Sequence, residues 1–117
     1  MSAIPSWIGT QVGDRVGRVV GSVRDVYYDE SSSRAAWLLV DLRERLALVP
    51  TDGALSWSDR VVVPHDRELI ATAPAVATPP GVMCGELLVR LGRHYGVRVD
   101  RGSGFAAVHG ARLADAA

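Results

Sequence analysis

A chain of 117 residues has room for one domain with a small appendage, and with 48% apolar residues it is not disordered throughout. Thirteen basic residues balance thirteen acidic ones. That balance excludes the basic excess of a dedicated nucleic-acid binder and the charge run of a polybasic membrane anchor.

Residues 1–6 read as a loose tail, without the basic region and apolar core of a signal peptide. Residues 7–12, WIGTQV, form a candidate first strand, and Gly13-Asp14-Arg15 is a turn signal. Residues 21–42 then read as two apolar strands around the polar turn Asp29-Glu30-Ser31-Ser32-Ser33. Their β-branched and aromatic content favours strands, and the turn residues bond their own backbone. Val19, Gly21 and Val23 share one parity, whereas Val26 and Tyr28 share the other. A switch near Arg24-Asp25 is what a β-bulge produces. The second strand, residues 34–42, is apolar on both parities. One face then fills an interior, and the other needs a cover: a helix, the C-terminal segment or a second subunit.

Arg43-Glu44-Arg45 is a tight polar turn, residues 46–49 make a strand ended by Pro50, and Thr51-Asp52-Gly53 turns the chain. Residues 55–57 and 60–63 form a hairpin about Ser58-Asp59. Short strands at this spacing are the pattern of a small barrel or sandwich. Residues 66–72 suit one or two helical turns closed by Pro74, and residues 75–81 are a Pro-rich linker. Residues 82–95 carry Cys84, Leu87, Leu88, Leu91 and Tyr95 at helical spacing, with Gly96 as the capping residue. Beyond it, residues 105–108 suit a short strand and residues 111–117 a frayed end.

Cys84 is the only cysteine, so no disulfide forms within the chain and a reducing compartment fits. No apolar run approaches the ~18 residues of a membrane span. A cytoplasmic protein is expected. Arginine supplies every basic residue, which with abundant Ala and Val suggests a GC-rich bacterial genome.

The run Gly21-Ser22-Val23-Arg24-Asp25-Val26-Tyr27-Tyr28-Asp29 resembles the PRC-barrel pattern, Gly-x-Val-x-Asp followed by apolar residues and an Asp. Trp37-Leu38-Leu39-Val40-Asp41, Val49-Pro50, Arg67-Glu68-Leu69-Ile70 and Ala73-Pro74 follow in that family's order. The resemblance spans about residues 7–74. It implies a small, mainly antiparallel β-barrel in which Gly21, Val23, Asp25, Asp29, Val40, Pro50 and Pro74 are structural; the helical spacing beyond the linker adds a C-terminal helical extension over residues 82–117. The family includes the cytoplasmic domain of the photosynthetic reaction centre H subunit and the C-terminal domain of a ribosome maturation factor. Neither the former's membrane span nor the latter's preceding barrel is present in this sequence. What carries over is a binding module without an active site.

No residue pattern argues otherwise. His65, His94 and His109 lack zinc-ligand spacing. Cys84 has no His or basic neighbour in sequence and reads as a buried, inert thiol. Asp25 and Asp29 could pair as carboxylates, but a bulge and a turn use Asp in the same positions. Arg15, Arg18, Arg24 and Arg34 could form a phosphate-facing patch, but the acids among them make a mixed surface. No catalytic residue, metal ligand or cofactor is assigned. The expected function is a protein-interaction module, working as a homodimer through apolar surface. Trp37, Leu39, Leu87, Leu88, Leu91 and Tyr95 are its candidate interface, with an RNA- or ribosome-associated assembly factor as the alternative.

Overall fold

The computed structural model describes residues 7–29, 31–57, 59–74, 76, 78–99 and 104–108. The expected N-terminal tail, His109 and the last residues lie outside these. The chain forms β1 (Gln11–Gly13), β2 (Val19–Asp29), β3 (Arg34–Asp41), β4 (Leu46–Pro50), β5 (Leu55–Trp57), β6 (Arg60–Val62), α1 (Arg67–Ala71), β7 (Val82–Met83), α2 (Gly85–Tyr95) and β8 (Phe105–Ala107). The strands make one sheet in the order β4-β3-β2-β1-β6-β5, with β8 on the C-terminal half of β2 and β7 on β8.

Two features depart from the expected antiparallel barrel. The sheet is mixed, because β1 and β6 run parallel, Val12 opposite Val61. The hairpins between them supply the long crossover that a parallel pair requires. Among the described residues the sheet also stays open: β4 and β5 are its two ends and do not pair. Closure needs strand number, tilt and stagger to match. Here β5, β6 and β1 are three residues each, while β2 has eleven.

The hairpin of β2 and β3 is the centre of the sheet. Its register shifts between Val23 and Asp25, so Arg24 is the extra residue at the bulge that the parity switch predicts. Gly21 faces the carbonyl oxygen of Asp41 so closely that any side chain there would collide with it.

Both parities of β3 are buried: Trp37, Leu38, Leu39 and Val40 are all within 3% of full burial. The second cover is α2, whose Leu88, Leu91 and Tyr95 join the same hydrophobic cluster as Val12, Tyr27 and Ile70. The helix starts later than expected. Val82–Met83 pairs with β8, Cys84 is extended at the N-cap, and Gly85 has φ of +65°. Cys84 therefore precedes the helical stripe and is exposed, not buried. Gly96 caps α2 in the left-handed conformation, as its position predicts. The Pro-rich segment lies on the sheet. Val76 bridges Leu46, and the Tyr27 hydroxyl donates to the Pro80 carbonyl at 2.6 Å.

Candidate functional site

The family-motif residues lie in the strands of the sheet, apart from Pro74. Val23 and Val40 are cross-strand partners in the core, and Pro50 lies buried at the end of β4 opposite Trp37. Asp25, 8% exposed, accepts the Val26 amide at 2.8 Å beside the bulge. Asp29 holds the β2–β3 turn by accepting the Ser31 amide and hydroxyl, at 2.9 and 2.7 Å. These donors lower its pKa, the Ser31 hydroxyl foremost. Pro74 follows α1, half-buried. The two aspartates thus serve separate backbone features.

A third aspartate holds more of the fold than its place in a turn suggests. Asp14 is fully buried and accepts the Arg18 amide at 2.8 Å, the Val16 amide at 3.1 Å and Arg18 Nε at 3.0 Å. Burial pushes its pKa up, but these donors and the Arg18 charge outweigh burial and leave it below the ordinary value.

Where α2 meets the sheet, aromatic and basic groups gather. The Tyr95 ring lies 5.0 Å from that of His65, 4.9 Å from that of His94 and 6.2 Å from that of Trp37. His94 Nε2 donates to the Leu69 carbonyl at 2.6 Å. Arg45 clamps the end of α1 through the carbonyls of Ala71 and Ala73. Three buried polar atoms have no hydrogen-bond partner among the described residues: Tyr95 Oη, His65 Nε2 and Arg45 Nε. Burial raises the Tyr95 pKa and lowers that of His65. Nothing in this cluster pairs a nucleophile with a base. Among the described residues no three His, Cys, Asp or Glu side chains stand close enough to hold a metal.

The six candidate interface residues are mostly occupied within one chain. Trp37, Leu39, Leu88, Leu91 and Tyr95 are buried and Leu87 is half-buried against them. A dimer could use them only by exchanging α2. The exposed apolar surface lies elsewhere. Leu55 and Trp57 on the terminal strand β5 are 68% and 69% exposed. Cross-strand register sets Leu55, Val62, Gly13 and Val19 in one row across the outward face, with Trp57, Arg60 and Gln11 in the next. Val19 is exposed in its turn. Trp57 owes its exposure to its place on the terminal strand of the sheet.

Four of the arginines are acid-paired. Arg15 meets Asp66 at 3.5 Å, Arg18 meets Asp14 at 3.0 Å, Arg24 meets Asp41 at 3.6 Å and Arg60 meets Asp59 at 3.7 Å. This is a mixed surface, not a phosphate-facing patch. No helix among the described residues is long and apolar enough to cross a membrane.

No curated protein matches the chain. The sequence profile of the PRC-barrel domain matches residues 1–70, more than half of the chain, and spans the hairpin, the bulge and the strands that frame the exposed edge. The chain therefore belongs to the PRC-barrel domain family.

Proposed function

We propose that the protein is a non-enzymatic binding and assembly module that works as a cytoplasmic homodimer. Residues 7–74 form its binding domain, and residues 75–81 connect it to the extension over residues 82–117. Family membership supports the module reading. The observation that carries the dimer is the unpaired edge of β5, with Leu55 and Trp57 both more than two-thirds exposed. Free strand edges invite another strand, and a second copy is the occupant that fits. Antiparallel pairing of two β5 strands about Ser56 sets each Leu55 opposite the Trp57 of the other copy, on the same outward face.

The RNA reading is less favoured, because Arg60 beside Trp57 is paired with Asp59 and the neighbouring arginines have acids of their own.

Sedimentation equilibrium of the full chain at micromolar concentration tests the proposal. The expected result is a dimer that Trp57→Asp converts to monomer, while Val82→Asp, at an exposed site on β7, leaves it intact. A monomeric wild type overturns the homodimer. A dimer that survives Trp57→Asp removes β5 from the interface and leaves exchange of α2 as the route.

A further inference from the structure

A cleft of about 410 Å³ lies between the start of β2, the β3–β4 turn and α1, lined by Val20, Leu42, Arg43, Arg67, Ile70 and Ala71 among others. A groove continues from it along Gln11, Val19, Gly21, Ser22 and Asp41, and Arg43 and Arg67 line both. Neither arginine has an ion pair or side-chain hydrogen bond among the described residues, whereas Arg15, Arg18, Arg24 and Arg60 each have an acid. In the cleft itself, Arg43, Arg45 and Arg67 face one acid, Glu44. The charge there is positive in a molecule that is neutral overall.

The backbone adds a second, independent observation. The loop Arg43-Glu44 joins β3 to β4 and is closed by the Leu42 amide on the Arg45 carbonyl at 2.9 Å. Arg43, its first residue, has φ of +80°. In two-residue hairpin loops a positive φ at that position selects glycine, because a side chain there is strained. Arginine stands in a glycine position, and it lines the cleft.

We propose that this cleft binds an anionic group, a phosphate or a carboxylate carried on a small apolar body. The forked guanidinium groups of Arg43 and Arg67 would hold the oxygens, and Val20 and Leu42 would hold the body. No residue of β5 lines the cleft.

The test is calorimetric titration of the full chain with phenyl phosphate and, separately, with hexanoate, at constant ionic strength. Saturable one-to-one binding of at least one is expected, weakened about tenfold by Arg67→Gln and by Arg43→Gly. Arg90→Gln, on the exposed face of α2, leaves it unchanged. Arg43→Gly should melt no lower than wild type, because the backbone there suits glycine, so its loss of binding is not a loss of fold. Binding of phenyl phosphate alone assigns a phosphate site, and binding of hexanoate alone assigns a carboxylate site. No saturable binding of either, or binding that both cleft variants leave unchanged, overturns the proposal.

Discussion

The ring of Tyr95 on α2 meets the ring of Trp37 on β3 edge-on, with centroids 6.2 Å apart and planes at 63°. This contact is where the C-terminal extension covers the strand that is apolar on both parities. Trp37→Ala removes a large buried ring from both layers and should cost about 3–5 kcal/mol in a urea melt. Tyr95→Phe should be neutral or stabilising by up to about 1 kcal/mol. The ring contact persists, and a buried hydroxyl with no partner among the described residues is removed. A Tyr95→Phe protein destabilised by more than that would mean the hydroxyl has a partner.

His65 makes the docking of α2 sensitive to pH. It packs against Tyr95, its Nε2 is buried without a partner, and burial lowers its pKa from 6.5 against the opposing pull of the Asp52 carboxylate. The folded pKa is thus below the unfolded one, so the unfolded chain takes up the proton first as pH falls. Stability from this group is full above about pH 6.5 and declines below it. Urea midpoints measured between about pH 7.5 and pH 5.5 should fall, and His65→Gln should flatten that fall.

Asp14 acts in a lower window. Its folded pKa is below the ordinary 3.8, so its contribution is present above that value and is lost as pH falls through the folded pKa. Asp14→Ala strands two backbone amides and the Arg18 guanidinium, and should cost about 1–3 kcal/mol at neutral pH. Asp14→Asn should cost less, because its amide oxygen still accepts the Val16 and Arg18 amides. Equal losses in the two variants would show that the charge, rather than the acceptor, holds the turn.

The local features were legible in the sequence, and the non-local ones were not. β2 and β3 announce themselves by β-branched and aromatic runs, the bulge at Arg24 by a parity switch, and the end of α2 by Gly96. The open, mixed sheet has no such sign, because closure depends on the relative lengths of strands far apart in sequence. The parallel pairing of β1 with β6 is of the same kind. Val82–Met83 is too short to show a period, so it merged with the helix that follows it. Cys84 was misjudged because residue type argues for burial, whereas its place at a helix N-cap leaves it outside. The Arg43-Glu44-Arg45 turn was legible, but the left-handed backbone at Arg43 was not, since the position calls for glycine.

At the alkaline end, Tyr27 should set the limit of stability. Its side chain is fully buried in β2 and its hydroxyl donates to the Pro80 carbonyl, tying the Pro-rich segment to the sheet. Burial, aided by the neighbouring Asp25 charge, raises its pKa from 10.0 to about 12. The folded value is above the unfolded one, so the contribution is fully present below about pH 10 and is lost as pH rises toward 12. A shift of this size corresponds to a loss of about 3 kcal/mol across that window. Ionisation also leaves the Pro80 carbonyl facing a phenolate with no proton to donate, so the tether and the cover it positions should loosen together. Tyr27→Phe should therefore lose about 1 kcal/mol at neutral pH, the worth of one hydrogen bond, and lose less further stability than wild type above pH 10. Tyr95, whose pKa burial also raises, adds a second alkaline component. The double variant with Tyr95→Phe should remove most of the remaining slope. Phenolate absorbance followed alongside far-ultraviolet circular dichroism checks the assignment. Ionisation of all three tyrosines near the ordinary value, with the fold intact, would show that the Tyr27 hydroxyl is not sequestered.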